Sequence, residues 1–319
     1  VILGEDALDQ KRMKEAEQRF RTVLGAELPA ETKRRTQEDL LWLLAELGRA
    51  QEGLPIVQAL IPNSFTKPSE RGLIGILEAL CAARERTQAE DTLHSYQSLY
   101  PQGAYRLRAE LDWGRLLGTL GDARTSAEAL RQIIQKNPNA PEADEARLAL
   151  ASLLSEGKLQ AKDVPSLPPP ETLLSEMSAA GRRGELARRA LLLRLRMAMS
   201  QGRWQEVLDF VGQYRSTYPK DGEEATVARF RADALKALTQ QSLAKGQIGP
   251  ILGQLDREGI QALTGEQRLG VVRLLAKGGL ATAAHRVAAV APKPEQARLR
   301  RALAAEAAAP ADAPGLLEA

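Results

Sequence analysis

Proline recurs along this chain after helix-like stretches, and the spacing between these prolines is nearly regular. The positions are Pro62, Pro101, Pro138, Pro219 and Pro292, which lie 39, 37, 81 and 73 residues apart. The last two intervals are each close to twice one of the first two. One unit of about 36–40 residues, with two unmarked boundaries, therefore accounts for all four intervals. Since proline cannot continue the hydrogen-bond ladder of a helix, each one is predicted to follow a helix end.

Glycine marks a second recurring position inside these units. Gly121 and Gly202 each precede the closing proline by 17 residues, and Gly48 and Gly278 precede theirs by 14. Glycine tolerates the left-handed backbone conformation with which many helices end. Each unit is therefore predicted to contain two helices, with a glycine turn between them and proline after the second helix.

The segments between these markers have the composition and periodicity of amphipathic helices. In "SAEALRQIIQ", for example, Ala127, Leu130, Ile133 and Ile134 fall on one side of a helix. Hydrophobic residues make up 44% of the chain and aromatic residues only 4%, so the apolar residues are mostly the helix formers Ala and Leu. No sustained alternation of β-branched residues predicts a strand. The predicted helices are residues 6–24, 31–48, 53–61, 69–85, 88–99, 104–119, 124–136, 142–155, 171–179, 183–200, 203–216, 222–240, 248–258, 265–277, 279–290 and 294–308.

Three of these units resemble the tetratricopeptide repeat family. "GRWQEVLDFVGQYRSTYP" at residues 202–219 and "WGRLLGTLGDARTSAEALRQIIQKNP" at residues 113–138 carry its turn glycine, apolar second helix and closing proline. "ARERTQAEDTLHSYQSLYP" is similar, with Arg84 in place of the turn glycine. The resemblance implies an all-α fold, a right-handed α-solenoid of helical hairpins with about seven helix pairs and a C-terminal helix.

The joints between units are similar in style to those of bacterial cell-envelope members of that family. "SLYPQGAY", "KNPNAPEADEA" and "TYPKDGEEATVA" share a helix end, a proline and an alanine in the next helix. Outer-membrane assembly lipoproteins and periplasmic coordinators of cell-wall synthesis have such joints. In the last joint, Tyr218 is predicted to pack between the helices and Asp221 to cap the following helix.

The resemblance implies a non-catalytic scaffold or adaptor in a bacterial multiprotein assembly, with a partner segment in the concave groove. The expected location is the periplasm or cell envelope. The alternatives are a helical accessory domain of a cell-wall-acting enzyme and a cytoplasmic regulator of the same family.

Two regions interrupt the repeats and suggest the domain organisation. The segment "GKLQAKDVPSLPPPET" is rich in proline and is expected to be extended. The last residues, "AAAPADAPGLLEA", are of low complexity. We predict N-terminal repeats at residues 1–156, a Pro-rich connector at 157–170, C-terminal repeats at 171–308 and a flexible tail at 309–319.

The sequence shows no arrangement typical of catalysis, metal binding or cofactor binding. The chain has one cysteine, Cys81, and two histidines, His94 and His285, which lie in different units. A net charge of +3 does not favour nucleic-acid binding, and no stretch predicts a membrane span. The expectation is a protein that is not an enzyme, needs no cofactor or metal and binds other proteins. No pattern indicates an oligomeric state.

Arginine recurs at fixed distances before the turn positions. Arginine stands thirteen residues before three turns, at Arg71, Arg108 and Arg189, and six residues before two of them, at Arg115 and Arg196; Glu78 holds the remaining place. Residues seven apart share one helix face, and the resemblance implies that this face of each first helix lines the concave groove. Because guanidinium groups pair with carboxylates, these arginines are predicted to bind an acidic or mixed peptide. The alternative is a solvated face on which they pair with neighbouring glutamates.

Overall fold

The structure is a computed structural model that describes residues 13–60, 67–159, 168–175, 177–178, 184–219 and 221–307. Within these residues the chain is helical and contains no strand, which confirms the predicted all-α class. The helices, numbered in chain order, are α1 (Met13–Leu24), α2 (Ala30–Glu46), α3 (Leu54–Leu60), α4 (Glu70–Ala83), α5 (Arg86–Leu99), α6 (Arg106–Thr119), α7 (Ala123–Lys136), α8 (Pro141–Ser155), α9 (Pro170–Ser175), α10 (Glu185–Ser200), α11 (Trp204–Thr217), α12 (Glu224–Lys245), α13 (Gly249–Leu252), α14 (Arg257–Ala262), α15 (Gly265–Lys277), α16 (Ala281–Val290) and α17 (Lys293–Ala307). A turn of 3-10 helix, Ala50–Gly53, precedes α3.

The chain forms two compact units, and the first is Val1–Glu176. Its helices pair as α2 with α3, α4 with α5, α6 with α7 and α8 with α9. The first helices of successive pairs also pack on one another: α2 on α4, α4 on α6, and α6 on α8. Successive hairpins of this unit therefore stack through their first helices, as expected for a helical repeat.

The second unit is Met177–Ala319 and continues the pairing of helices. In it α10 packs on α11, α12 on the short helices α13 and α14, and α15 on α16, with α17 against both α15 and α16. With α12 and its two short helices counted as one pair, the described residues contain the seven predicted helix pairs and the C-terminal helix α17, and in addition α1, which packs on α2.

Helix α9 belongs to the first unit because it packs on α8. The Pro-rich connector predicted at 157–170 is described only at its two ends, so its extended conformation stays a prediction. The predicted tail at 309–319 lies outside the described residues. The predicted division into repeats at 1–156 and 171–308 likewise stays a prediction.

Four of the five marker prolines are among the described residues, and each lies at the same place after a helix. Pro101, Pro138, Pro219 and Pro292 are the second residues after the ends of α5, α7, α11 and α16. The fifth, Pro62, lies outside the described residues. The prediction that these prolines follow second helices is thereby confirmed for four units.

The turns between paired helices use the left-handed backbone conformation that was predicted for glycine. Gly48, Gly121 and Gly202 have φ angles of 68°, 89° and 68°. The prediction is wrong at Gly278, which has a φ of −77°, because the next residue, Gly279, takes the left-handed conformation with a φ of 72°. Arg84 stands at the place of the turn glycine and has a φ of 62°.

The left-handed conformation of Arg84 predicts a gain in stability when it is replaced by glycine. The side chain of Arg84 is exposed, and a residue with a Cβ pays about 1–2 kcal/mol for this conformation. Arg84→Gly is therefore expected to raise the free energy of unfolding by about 0.5–1 kcal/mol, after the entropy cost of glycine. Urea denaturation measures this change. Gly121→Ala should do the opposite, and a loss of stability in Arg84→Gly would contradict the prediction.

The prediction of a single helix at residues 248–258 is wrong. The chain forms α13 there, leaves the helical conformation, and then begins α14. Asp256 begins the second of them, α14, and its Oδ1 accepts a hydrogen bond from the backbone N–H of Gly259 at 2.7 Å. An aspartate at this position starts a new helix by capping its first free N–H groups. The chain therefore turns inside the predicted helix.

Two of the joints contain a buried tyrosine four residues before the tyrosine that precedes proline. The rings of Tyr96 and Tyr214 are fully buried, and each hydroxyl donates a hydrogen bond to a carboxylate at 2.7 Å, on Glu70 and Asp221 respectively. Tyr218, which was predicted to pack into the joint, is only half-buried and lies 5.3 Å from the Tyr214 ring. Asp221 does not occupy the cap position of α12, which is Glu223.

Charged faces of the first helices

Arg108 of α6 lies on the stacked face of the first helices and is held by two neighbouring helices. Its guanidinium donates hydrogen bonds to Glu78 of α4 and to Glu46 at the end of α2. Its guanidinium carbon also lies 4.8 Å from the centroid of the Trp42 ring, an arrangement that favours a cation. Burial by itself would lower the pKa of Arg108, but the bonds to Glu78 and Glu46 outweigh it and the pKa is raised.

Arg115 lies two turns further along α6 and reaches the next first helix in the stack. It donates a hydrogen bond to Glu145 of α8, and its Nη1 lies 4.0 Å from Oδ1 of Asp112. Together with the contacts of Arg108, this links α2, α4, α6 and α8 through charged side chains. We call this set the charge cluster; its residues are Glu46, Glu78, Arg108, Asp112, Arg115 and Glu145.

Arg71, the third predicted groove arginine of the first unit, is exposed at the start of α4. Its guanidinium carbon lies 5.8 Å from the centroid of the Trp42 ring. It also lines a cavity of about 350 Å³ between the beginnings of α2, α4 and α6, together with Arg35, Glu38, Asp39, Ser69, Glu70, Ala104 and Tyr105. Trp42 therefore brings Arg71 and Arg108 together on one aromatic ring.

In the first unit Arg108 and Arg115 thus pair with glutamates of neighbouring helices, which was the alternative interpretation of the pattern. Ion pairs of this kind hold consecutive hairpins in register and need no partner protein. The pairing leaves the binding role of Arg71, Arg108 and Arg115 a prediction. Arg71 is exposed, whereas Arg108 and Arg115 are half-buried.

A second cavity, of about 220 Å³, lies within the charge cluster, between α4 and α6. We call it the acidic cavity. It is lined by Ala50, Glu78, Cys81, Ala82, Asp112, Arg115, Leu116 and Thr119. Burial raises the pKa of the Cys81 thiol, so that this half-buried side chain stays protonated.

Asp112 is the least satisfied charged group of this cavity. Its side chain is 17% exposed, and its Oδ2 is buried without a hydrogen-bond partner among the described residues. Burial and the negative charge of Glu78 raise the pKa of Asp112 to about 7, against the opposing effect of Arg115 and Arg108. Burial likewise raises the pKa of Glu78. A neutral carboxyl is favoured here because both arginines already bind other carboxylates.

The raised pKa of Asp112 predicts that the protein loses stability as the pH rises. The folded state holds a proton on Asp112 that the unfolded state releases near pH 4, so this stabilisation is complete below that pH and lost through pH 7. Between pH 5 and pH 8 the free energy of unfolding is expected to fall by about 2 kcal/mol from this group. Urea denaturation at each pH measures this, and Asp112→Asn should flatten the profile. A matched control is Asp91→Asn, on an exposed residue of α5.

The predicted arginines of the second unit have a different environment. Arg189 and Arg196 are exposed on α10, seven residues apart, while Ala190, Leu192 and Leu195 of the same helix are buried. Within the described residues neither arginine forms a hydrogen bond or a salt bridge, although the positive charge of Arg189 helps to lower the pKa of Glu185. These two cations are therefore available to a ligand without displacing an internal partner.

Several residues of these faces were missed by sequence reasoning, among them Trp42, Glu46, Asp112 and Glu145. Trp42 could have been found by counting. It stands six residues before the turn at Gly48, just as Arg115 stands six residues before the turn at Gly121. The carboxylates have no such signal. They come from three helices, α2, α6 and α8, and only stacking brings them together.

Within the described residues, no group of three or more His, Cys, Asp or Glu side chains is placed to hold a metal ion. His94 and His285 are both exposed, on α5 and α16. No helix in the described part of the chain combines the length and apolarity that crossing a membrane requires.

The known proteins to which this chain is similar are solved structures with low sequence identity. No protein-family model and no curated protein matches this sequence. Among solved structures, the chain is similar to a tetratricopeptide repeat protein from Parabacteroides merdae ATCC 43184, at 11% identity and a TM-score of 0.33, over 96% of each chain. It is also similar to a chain of the structure of Naa15/Naa10 bound to HypK-THB, at 13% identity and a TM-score of 0.31, over 95% of this chain and 57% of that one.

Proposed function

We propose that this chain is a non-catalytic interaction scaffold that binds an extended, acidic or mixed segment of a partner protein along its first helices. Stacked helical hairpins present long continuous surfaces, which suit extended segments of partner chains. The observation that carries the proposal is the pair Arg189 and Arg196, two exposed cations on one face of α10 without an internal partner in the described residues.

The arginines of the two units differ in how readily they can bind such a partner. Arg189 and Arg196 can each form charge-assisted hydrogen bonds with carboxylates at no cost in internal pairing. Arg108 and Arg115 would first have to exchange the bonds that they make with Glu78, Glu46 and Glu145. We therefore assign the acidic part of the partner to the second unit.

The test is the binding of a short, fluorescent, glutamate-rich peptide to the full chain. The double variant Arg189→Ala/Arg196→Ala is expected to weaken binding by about 10–100-fold, because two charge-assisted bonds are lost. The affinity of the unchanged protein should fall as salt is added, since exposed charges are screened.

The matched control replaces two exposed arginines on second helices, Arg124 of α7 and Arg286 of α16, by alanine. This variant has the same net charge as the first. Equal weakening in both double variants would mean that the peptide responds to overall charge alone. Unchanged affinity in Arg189→Ala/Arg196→Ala would contradict the assignment.

We place this scaffold in a bacterial multiprotein assembly of the cell envelope, in the periplasm. The support is the style of the joints at Pro101, Pro138 and Pro219. Fractionation of cells that express the tagged native protein is the test. Recovery with periplasmic or envelope markers is expected, and recovery with cytoplasmic markers would favour the cytoplasmic regulator instead.

A further inference from the structure

We propose that the acidic cavity between α4 and α6 of the first unit receives a cationic side chain, a lysine, from the partner segment. This inference rests on the proposed function, because it names a second kind of residue in the segment that the scaffold binds. The cavity has a volume of about 220 Å³ and is lined on the α6 side by Asp112, Arg115, Leu116 and Thr119. It offers a carboxylate to an ammonium group and apolar atoms to its stem.

The charge cluster has too few cations for its carboxylates. Arg108 bonds to Glu46 and Glu78, and Arg115 bonds to Glu145. The fourth carboxylate, Asp112, has Arg115 at 4.0 Å, which is too far for a hydrogen bond. With all groups ionised, four carboxylates face two guanidinium groups. One additional cation would give the buried Oδ2 of Asp112 the hydrogen-bond donor that it lacks among the described residues.

The position of Asp112 explains why this cation should come from outside. Its Oδ2 is buried without a hydrogen bond among the described residues, and leaving a buried charge unpaired is costly. Rotation about the last torsion of aspartate exchanges its two oxygens, so either can turn to a bound cation. Glu78 lines the same cavity and can share the ammonium group.

Three other residues of the lining fit the aliphatic part of a lysine side chain, and Arg115, which also lines the cavity, is bonded to Glu145. Ala50, Ala82 and Leu116 line the cavity with small or apolar side chains. Long cationic side chains bury their methylene stems against such surfaces while the charged end is paired. A lysine therefore satisfies both parts of the lining at once.

The binding is expected to depend on pH in a defined direction. The charged groups that face Asp112 are Glu78 of α4, Arg108 and Arg115 of α6, Glu145 of α8 and, through Arg108, Glu46 of α2. Since burial, Glu78 and Glu145 favour the neutral carboxyl and outweigh the opposing effect of Arg115 and Arg108, a cation must ionise Asp112 as it binds. Affinity for the cation should thus increase as the pH rises from 6 to 8.

The experiment measures the binding of a fluorescent Gly/Ser-rich peptide that carries lysine, with an acetyl-lysine peptide as the neutral control of equal shape. Binding to the full chain at pH 8 is expected to be about tenfold weaker in Asp112→Asn. It should be unchanged in Asp91→Asn, which removes the same charge from exposed α5. The unchanged protein should prefer the lysine peptide, and its affinity should rise with pH, whereas Asp112→Asn should show neither effect.

Two results would overturn the inference: equal binding by Asp112→Asn and Asp91→Asn, or equal binding of the lysine and acetyl-lysine peptides. Thermal unfolding at pH 8 checks that Asp112→Asn is folded. The variant Arg189→Ala/Arg196→Ala should bind the lysine peptide normally. If the acidic peptide depends on those arginines while the lysine peptide ignores Asp112, this inference is wrong and the proposed scaffold function stands. The reverse pattern would support the cavity and contradict the assignment of the arginines.

Discussion

Arg268→Ala is expected to lower the free energy of unfolding of the second unit by about 3 kcal/mol, the largest effect among its charged residues. Arg268 of α15 is 4% exposed. Its Nε and Nη2 each donate to one carboxylate oxygen of Glu295 at 2.8 Å, and its Nη1 donates to the backbone oxygens of Ile260 and Leu263. One side chain thus joins α15 to the start of α17 and to the end of α14. Its removal leaves a carboxylate and two carbonyls without this partner.

The matched control for this prediction is a second arginine–glutamate pair between the same two helices. Arg298 of α17 lies 2.9 Å from Glu266 of α15, but both side chains are mostly exposed, at 54% and 76%. Arg298→Ala should therefore change stability by less than about 1 kcal/mol. Urea denaturation followed by circular dichroism compares the two variants. Arg268→Lys should recover little of the loss, because lysine cannot form the two-pronged bond. Equal stability of Arg268→Ala and Arg298→Ala would contradict the structural account.

Tyr214→Ala is expected to lower the free energy of unfolding by about 3–5 kcal/mol. The ring is completely buried in the core of the second unit, among α10, α11 and α12. Its hydroxyl donates to Asp221, whose carboxylate also accepts bonds from Arg188 and from the backbone N–H of Glu223. Burial raises the pKa of Tyr214 to about 12, so the hydroxyl remains a donor at neutral pH. The substitution leaves both a cavity and an incomplete joint.

Two further variants separate these contributions. Tyr214→Phe keeps the ring and removes only the hydrogen bond to Asp221, so a loss of about 1–2 kcal/mol is expected. Tyr218→Ala, at the half-buried neighbour, should cost about 1–2 kcal/mol. A larger loss of stability in Tyr218→Ala than in Tyr214→Ala would contradict this account. It would show that the tyrosine before proline stabilises the joint more than the buried tyrosine does.

The arginine pattern shows how far a sequence repeat can predict the surroundings of a side chain. Counting back from the turns placed five arginines on first helices, and the structure brings Arg71 and Arg108 to one ring, that of Trp42. The same count could not separate Arg108, which is held by two glutamates, from Arg189, which has no internal partner among the described residues. That difference depends on Glu46 and Glu78, which approach Arg108 from two other helices.

The sequence by itself determined the helical hairpins, their number and the ends of most helices. These follow from local chemistry: proline stops a helix, glycine accepts a left-handed turn, and apolar residues three and four positions apart select the buried face of a helix. At Arg84 the turn between two paired helices keeps its left-handed conformation although the residue is not glycine.

Only the tertiary structure decided which charges meet. The acidic cavity, the buried Arg268 and the contacts of the charge cluster depend on residues up to 62 positions apart, as in the pair of Arg108 and Glu46. Solvent exposure and the distance to an opposite charge set the state of each group, and neither is a property of its neighbours in the chain. The pattern of helices is therefore local, whereas the chemistry of the faces that they form arises from packing.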